Sequence, residues 1–412
     1  MSIVLFSGGR GNKVLLSSIA REGTEISHKF QVIVNGLDDG ASTGEIRELL
    51  GNQSHGISDF LKVTLAMSPN IELQEILEER LPILVSIEDQ LESTKVLYDF
   101  IFANEDIPCL KEYKNCDHIK GNIREYFFIF LEHLHQRNGA LPNLSDFKIG
   151  NIVFSSMLIN RKLNFQEALT DFMEFCDVRK DRFEIIQSTE TNSYLVGLLK
   201  NGSLLPNEAA VVLTRTTDTI ESTFQLSSPL SARDIRNICS MEIEDKKDHL
   251  KILEVTPEAG IKAISAIIDA DAIIYGAGTP YSSVFPSLEL NGMASAIRQA
   301  NCPKILVVNL AKETSNTIEA TDVVDGILEH LNKSISDGSI SKPSDYLTHI
   351  IIPNDSLDDA KSESLIRMNK QKINKDYKWV EVIEGDIRAT NDETKHDGFK
   401  LKQCLMQVID GG

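Results

Sequence analysis

FQVIVNGLDDGASTGEIR, residues 30–47, is the stretch on which the reading of this chain turns. Phe30 to Val34 is apolar and β-branched, the composition of a buried strand. Ser42 and Glu45 have the spacing of a capping box opening a helix that carries Ile46 and Leu49. Asp38 and Asp39 therefore fall on the loop between strand and helix. Backbone N–H groups at a helix start attract anions, and adjacent carboxylates attract a hard cation such as Mg²⁺, so the corner suits a metal-bridged phosphate. A solvated loop followed by an ordinary N-cap would use the same residues. A nucleotide site is the expectation, and its neighbours decide how far it holds.

Working outward, Ile3 to Phe6 reads as a short strand, Ser7-Gly8-Gly9-Arg10-Gly11-Asn12 as a tight loop, and Val14 to Arg21 as a helix ended by Gly23. With the strand at Phe30 this is a βαβ unit, whose parallel strands place the glycine loop and the diacidic loop at one carboxyl edge. From Asn70 to Gly139 helical periodicity takes over, through Leu73, Ile76, Leu77, Leu81 and Tyr126 to Leu134. Helical segments continue at Ile152–Leu158 and Phe165–Cys176. Residues 183–223 read as β-rich, with strands at Phe183–Gln187, Ser193–Leu199 and Ala209–Arg215 and a hairpin at Asn201-Gly202. Beyond Lys251 the pattern alternates: strand Ile252–Val255, helix Pro257–Ala270, strand Ala272–Tyr275, helix Ser287–Asn301, strand Lys304–Val308. Strands His349–Ile352 and Trp379–Ile383 and a closing helix Gly398–Val408 complete an α/β chain. The expected divisions are 1–69 as the N-terminal part of the core, 70–148 as a helical insertion, and 149–412 as the rest of the core.

Composition narrows the function. At 412 residues the chain is long enough for a large core. Its 61 acidic against 42 basic residues give a net charge of -19, with no concentrated basic patch, which argues against nucleic acid as partner. The six cysteines show no CxxC or ligand spacing, as expected of reduced thiols in a cytoplasm. No segment approaches the roughly twenty apolar residues of a membrane span, and Met1 leads straight into a strand rather than a signal peptide.

Four further features carry chemistry. Gly8, Gly9, Arg10 and Gly11 let backbone N–H groups approach a ligand, although the loop lacks the GxGxxG spacing and has no Lys-Ser/Thr after its last glycine; a strand-to-helix turn would use the same glycines. Ser58-Asp59 opens the run Phe60 to Met67 and offers a third carboxylate, or a simple N-cap, with Lys62 one turn on. The loop Tyr275-Gly276-Ala277-Gly278-Thr279-Pro280-Tyr281-Ser282-Ser283 can wrap a phosphate with backbone N–H groups and hydroxyls, or form a glycine turn. Asn309 and Asn151 are amides at a strand end and a helix start, suited to a base or ribose, or to capping. The histidines lack paired metal spacing, and His396-Asp397 reads as the cap of the last helix. No GxSxG, HExxH or kinase signature is present.

SGGRG, NGLDDGASTGEIR, GISDFLK, IGN at 149–151, YGAGTPYSSVFPSL, VVNL at 307–310 and the closing HDGFKL together resemble, in order and spacing, the 2-phospho-L-lactate transferase (CofD-like) family, which includes the gluconeogenesis-factor proteins. The resemblance spans most of the chain and is weakest after residue 68. It implies a Rossmann-like three-layer sandwich with a mostly parallel sheet, a helical insertion and a small β-rich segment. It further implies a nucleotide ligand of the GDP or UDP type, either a diphosphate or a nucleotide sugar, with Mg²⁺, and usually a homodimer. Carried over by position, Asp39 and Asp59 match acidic residues linked to metal, with Asp38 the alternative to Asp39. Gly9, Gly11, Asn151, Gly278 and Thr279 match nucleotide-side positions. The first loop departs from the family's more glycine-rich form, and Phe60 stands where an arginine usual in the family follows the acid.

Two functions follow from the resemblance. In the transferase branch a phospholactyl-type group passes from a nucleoside-diphosphate-linked donor to the hydroxyl of a deazaflavin-like acceptor, with Asp38, Asp39 and Asp59 holding Mg²⁺ and no residue evident as general base. In the regulatory branch the same pocket binds a nucleotide sugar without turnover, and a paralogue with a dead site is a third possibility. Tyr126, Phe127, Phe128 and Phe130 would either stack on a flat acceptor or, at helical spacing, belong to a core.

Overall fold

The structure is a computed structural model describing residues 1–8, 11–22, 28–37, 41–50, 55–82, 95–138, 144–213, 219–312, 319–335, 341–354 and 365–411. In chain order the strands are β1 Ser2–Ser7, β2 Lys29–Val34, β3 Phe183–Gln187, β4 Tyr194–Leu199, β5 Leu204–Leu205, β6 Ile220–Leu226, β7 Ala272–Tyr275, β8 Lys304–Val307, β9 His349–Pro353, β10 Glu381–Gly385, β11 Arg388–Ala389 and β12 Asp392–His396. Seven of them form one parallel sheet in the order β3-β2-β1-β7-β8-β9-β10. From β1 the chain first builds outward to β2 and β3, then returns to lay β7 on the other side of β1. The junction of β1 and β7 is thus the topological switch point of a Rossmann-like α/β fold, where such sheets open a crevice for ligands.

The central strands IVLF, VIV, AII and ILV are apolar without interruption because the sheet is covered on both faces, and Ile3 to Phe6 are at most 1% exposed. Val4, Phe6, Ile273, Tyr275, Leu306 and Ile350 share a core with the helices Ile261–Ile268, Met293–Gln299 and Ala320–Lys333. Leu5, Ile274 and Ile305 alternate with them and face the opposite layer. Right-handed crossovers put the helix Lys13–Ala20, which links β1 to β2, on that second face, and the helix Gly398–Gly411 packs beside it. The two helices meet at their first turns: a Cβ on Gly398 would lie 2.0 Å from the Val14 carbonyl oxygen.

The chain divides into two compact units, Met1–Ala41 with Arg179–Gly412, and Ser42–Val178. The first holds the parallel sheet, the antiparallel sheet β5-β4-β6 and the hairpin β11-β12. The regular elements of the second among its described residues are helices, joined by irregular stretches and one antiparallel bridge between Arg80 and Lys148, and it contains all of the expected segment 70–148. Its centre is the helix Ile149–Asn160, buried on every side from Ile149 to Leu158, with Phe154 stacked on Phe172 at 4.9 Å. Phe127 and Phe130 are core residues of this unit, while Phe128 is exposed. Among the described residues no helix is long and apolar enough to cross a membrane.

Several local expectations are corrected. Where a strand was expected over Ala209–Arg215, residues 209–213 belong to the helix Glu208–Leu213, started by Asn207, whose Oδ1 accepts the Ala210 N–H at 2.9 Å, and residues 214 and 215 lie outside the described residues. The expected strand at Ile252 is the end of the helix Ile243–Leu253, and Ile252 is 81% exposed, so its apolar character came from the surface. β4 pairs with β5 and, on its other side, with β6, a strand that the expectation for residues 183–223 does not single out. The hairpin at Asn201-Gly202 forms as expected, with Gly202 at φ 83°. The helix expected over 287–301 is two short helices separated at Gly292, φ 88°. β3 joins the main sheet beside β2 rather than the β-rich segment.

Candidate functional site

At the switch point the first and third glycine loops lie against each other. A Cβ on Gly11 would sit 1.5 Å from the Ala277 carbonyl oxygen, and one on Gly276 would sit 2.2 Å from Asn12 Nδ2. A Cβ on Gly278 would approach the Gly8 carbonyl oxygen at 3.1 Å. Gly11 is therefore needed where two backbones cross and Gly276 where the Asn12 side chain packs, and the contact forms only because β1 and β7 are neighbours. Gly9 and Arg10 lie outside the described residues. Asn12 donates from Nδ2 to Ser7 Oγ at 3.0 Å, and its Oδ1, buried, has no hydrogen-bond partner among the described residues.

Beyond this crossing a narrow crevice, with free space for about one water molecule, opens among Gly276, Gly278, Phe285, Val307, Asn309 and Ile327. Asn309 Nδ2 donates to the Gly278 carbonyl at 2.9 Å and so ties the end of β8 to the third loop. Thr279 precedes the helical turn Pro280–Val284 and is half-buried, while Ser282 and Ser283 are buried. Tyr275 stacks on Phe6 at 5.7 Å and gives its hydroxyl to the Tyr346 carbonyl at 2.8 Å. Burial holds that hydroxyl far above the usual phenol range, so it remains a neutral donor.

A second set of contacts, which the motif reading missed, joins β2, β3 and the third loop. Asn35 Nδ2 donates to the Ser282 carbonyl at 2.9 Å, and Asn35 Oδ1 accepts the Leu37 N–H at 3.1 Å. The Gly36 N–H donates to Ser188 Oγ at 3.1 Å. Only their position just past two strand ends marks these residues in the sequence. Asn35→Ala would leave buried groups on two loops unpaired, so it is expected to cost about 2 kcal/mol of stability in urea unfolding. An unchanged unfolding midpoint would show that the amide does not brace the loop.

Of the acidic residues, Asp38 and Asp39 lie outside the described residues, as do the side chains of Ser42 and Glu45. Asp59 belongs to the second unit, on the helix Ser58–Met67. The N-cap position of that helix is Ile57, so Asp59 is a first-turn residue and not the cap. Its carboxylate is buried and accepts Lys62 Nζ at 2.8 Å. Asn151, in the same unit, is fully buried at the start of the helix Ile149–Asn160. The preceding Gly150 is explained by packing, since a Cβ there would meet Leu61 Cδ1 at 2.5 Å. Among the described residues no three His, Cys, Asp or Glu side chains are grouped to hold a metal ion.

The last motif, HDGFKL, returns to the carboxyl edge. Asp397 caps the closing helix, its Oδ1 accepting the Phe399 and Lys400 N–H groups at 3.0 Å. His396 ends β12, is 6% exposed, and makes a hydrogen bond with the backbone of Val308, just past β8. Among the described residues its Nε2 has no partner, so Nδ1 makes that bond, and the bond favours the charged ring, which identifies Nδ1–H as donor to the Val308 carbonyl. Burial outweighs this and pushes the imidazole down to about 4.

A profile of the family described as 2-phospho-L-lactate transferase CofD matches residues 3–391. A gluconeogenesis factor of Listeria monocytogenes is 21% identical over 99% of this chain and 95% of its own. One from Halalkalibacterium halodurans is 22% identical over 82% of this chain and 76% of its own. In three dimensions the chain is similar to a Bacillus halodurans protein whose two crystal structures superpose with a TM-score of 0.63, at 17% and 16% identity, over 98% of both chains. One of them is described as a member of the UPF0052 family.

Proposed function

The chain belongs to the 2-phospho-L-lactate transferase CofD family, and from that premise we propose that its switch-point edge binds a nucleoside diphosphate or a nucleotide sugar. The observation that carries this reading is the crossing of Gly11 and Ala277. It sets the start of the helix Lys13–Ala20 against a second glycine loop at the one place where strand order reverses. Backbone N–H groups at such a start favour phosphate oxygens, and a glycine surface lets them approach. The similarity to gluconeogenesis factors over nearly the full chain supports ligand binding by a regulator as the leading use of this edge.

The family description supports a second reading, transfer of a phospholactyl-type group. In that step the hydroxyl oxygen of a deazaflavin-like acceptor attacks the phosphorus bearing the lactyl group. The P–O bond to the nucleoside monophosphate breaks and the acceptor's proton leaves to solvent or a base. Mg²⁺ held by Asp38, Asp39 and Asp59 would neutralise the diphosphate in either reading. A cytoplasmic homodimer is proposed with both.

The test is titration of the full chain with UDP, GDP, UDP-glucose and GDP-mannose, with and without Mg²⁺, read by calorimetry and thermal shift. A ligand present at 100 times its Kd is expected to add about 2.7 kcal/mol of stability. Stabilisation by none of the four would overturn the nucleotide reading. Asp39→Asn and Asp59→Asn are expected to lower Mg²⁺-dependent affinity on the order of tenfold, the loss of one charge-assisted contact. Unchanged affinity in both variants would remove these residues from the metal site. Release of nucleoside monophosphate in the presence of an acceptor alcohol would separate transfer from binding.

A further inference from the structure

The helical unit displays three aromatic rings side by side on its surface: Tyr98 is 47% exposed, Phe102 65% and Phe128 43%. Tyr98 and Phe102 stack with ring centroids 5.7 Å apart, and Phe102 meets Phe128 edge to face at 6.0 Å. The turn Asp99–Ala103 is π-helical, a wide turn that sets residues four apart nearly in line, so Tyr98 and Phe102 point outward together. Between them Phe100 is fully buried, edge to face at 5.6 Å with Phe127 on the helix Asp117–Asn138. Arg124 of that helix lies over the Phe100 ring at 4.8 Å and donates from Nε to the Phe100 carbonyl at 3.0 Å. It also reaches Asp106 at 3.2 Å, where Lys120 bonds as well. The turn is thus clamped to the helix from below while its outer rings face solvent. Single exposed apolar side chains are ordinary, but three touching rings mark an interaction surface.

Carboxylates frame these rings. Glu125 and Glu132 lie one turn before and one turn after Phe128 on its own helix face, and Glu105 follows the π-helical turn. All three are exposed, and among the described residues none of them is in an ion pair. Against them stands the exposed Lys95, one turn before Tyr98, since Arg124 and Lys120 are held by Asp106. The charge selects the occupant. A second copy would bring the same three carboxylates against themselves across a twofold axis. The net charge of -19 repels an anionic lipid surface. A flat small molecule finds no slot, because rings meeting at 88° leave no parallel gap. A cation suits every part of the surface: exposed ring faces attract guanidinium and ammonium groups, as Phe100 already does with Arg124, and the carboxylates complete the pairing. We propose that this surface docks a basic segment of a partner protein, with arginine or lysine side chains over Tyr98, Phe102 and Phe128 and against Glu105, Glu125 and Glu132. The assignment is independent of the nucleotide reading, and it puts the homodimer contact elsewhere.

The probe is a short helical peptide carrying arginine and leucine along one face, titrated into the full chain by calorimetry beside a matched peptide with glutamate for arginine. The wild-type chain is expected to bind the arginine peptide and not the glutamate peptide. An acidic chain attracts any cationic peptide weakly, so the rings decide the matter. Phe102→Ser combined with Phe128→Ser leaves every charge in place and should weaken binding about tenfold or more. Both rings are surface groups, so the urea unfolding midpoint of this variant should match wild type. Glu125→Gln combined with Glu132→Gln keeps the rings, and should weaken binding several-fold and flatten its dependence on salt. Equal affinity in the ring variant and wild type, or no binding of the arginine peptide to wild type, would overturn the proposal. Loss of self-association in sedimentation of the Phe102→Ser chain would assign the surface to a second copy instead. Ring-dependent binding to phosphatidylglycerol vesicles would assign it to a membrane, and either result overturns the basic partner.

Discussion

Gly11→Ala is expected to abolish nucleotide binding and to destabilise the chain by about 3 kcal/mol, the upper part of the range for a forced overpacking. The new methyl carbon would lie 1.5 Å from the Ala277 oxygen and 2.3 Å from its carbonyl carbon, both backbone atoms with no rotamer to escape into. Relief requires the two glycine loops to part, and their crossing is what builds the proposed phosphate surface. The loss should thus appear in affinity as well as in stability, unlike that of a core cavity. Gly121→Ala is the matched control: nothing lies within 4 Å of the added carbon, and the helix Asp117–Asn138 should gain about 0.5–1 kcal/mol. Urea unfolding and calorimetry on both variants check this. A Gly11→Ala chain that binds and unfolds like wild type would show that the loops do not cross as described.

Acidification is expected to cost the chain about 3 kcal/mol through His396 alone, between pH 6.5 and about 4. The folded imidazole is pushed from 6.5 to about 4, burial being the main cause, with the Arg388 charge adding to it and the Val308 hydrogen bond opposing it. A histidine with a depressed folded value stays neutral in the folded state while the unfolded state takes up a proton. The unfolded state then binds more protons throughout that window, so stability rises with pH from about 4 to 6.5 and is level above it. Many carboxylates also titrate near the lower end, so the quantity to measure is the difference between wild type and His396→Asn across the window. The variant should lack this part of the slope. Parallel curves for the two proteins would mean that the ring is solvated or charged in the folded state.

The site was legible wherever local chemistry marks it. Gly11 and Gly276 stand out because a Cβ there would collide with the facing loop, and strand-to-helix alternation already placed their loops at one sheet edge. Asn35, Ser188 and His396 were not legible as site residues, since an asparagine or serine after a strand usually closes a turn and a histidine before a helix usually caps it. Their significance comes from partners 247, 152 and 88 positions away, at Ser282, Gly36 and Val308. The apolar runs at Ala209 and Ile252 misled for the same reason. A short β-branched stretch does not say whether a helix cap or an exposed surface will claim it.

By itself the sequence determined the α/β class, the buried parallel strands and the family. Continuous apolar strands, alternating helices and glycine spacing are local patterns set by burial on two faces and by backbone sterics. Tertiary structure decided the strand order, and with it the switch point, because the return of β7 to the far side of β1 is a long-range choice that no local pattern encodes. It also decided which polar atoms were satisfied within the protein and which, like Nε2 of His396 and Oδ1 of Asn12, were buried without a partner among the described residues. Hydrogen-bond satisfaction is a property of the assembled edge, and a chain read one segment at a time cannot count it.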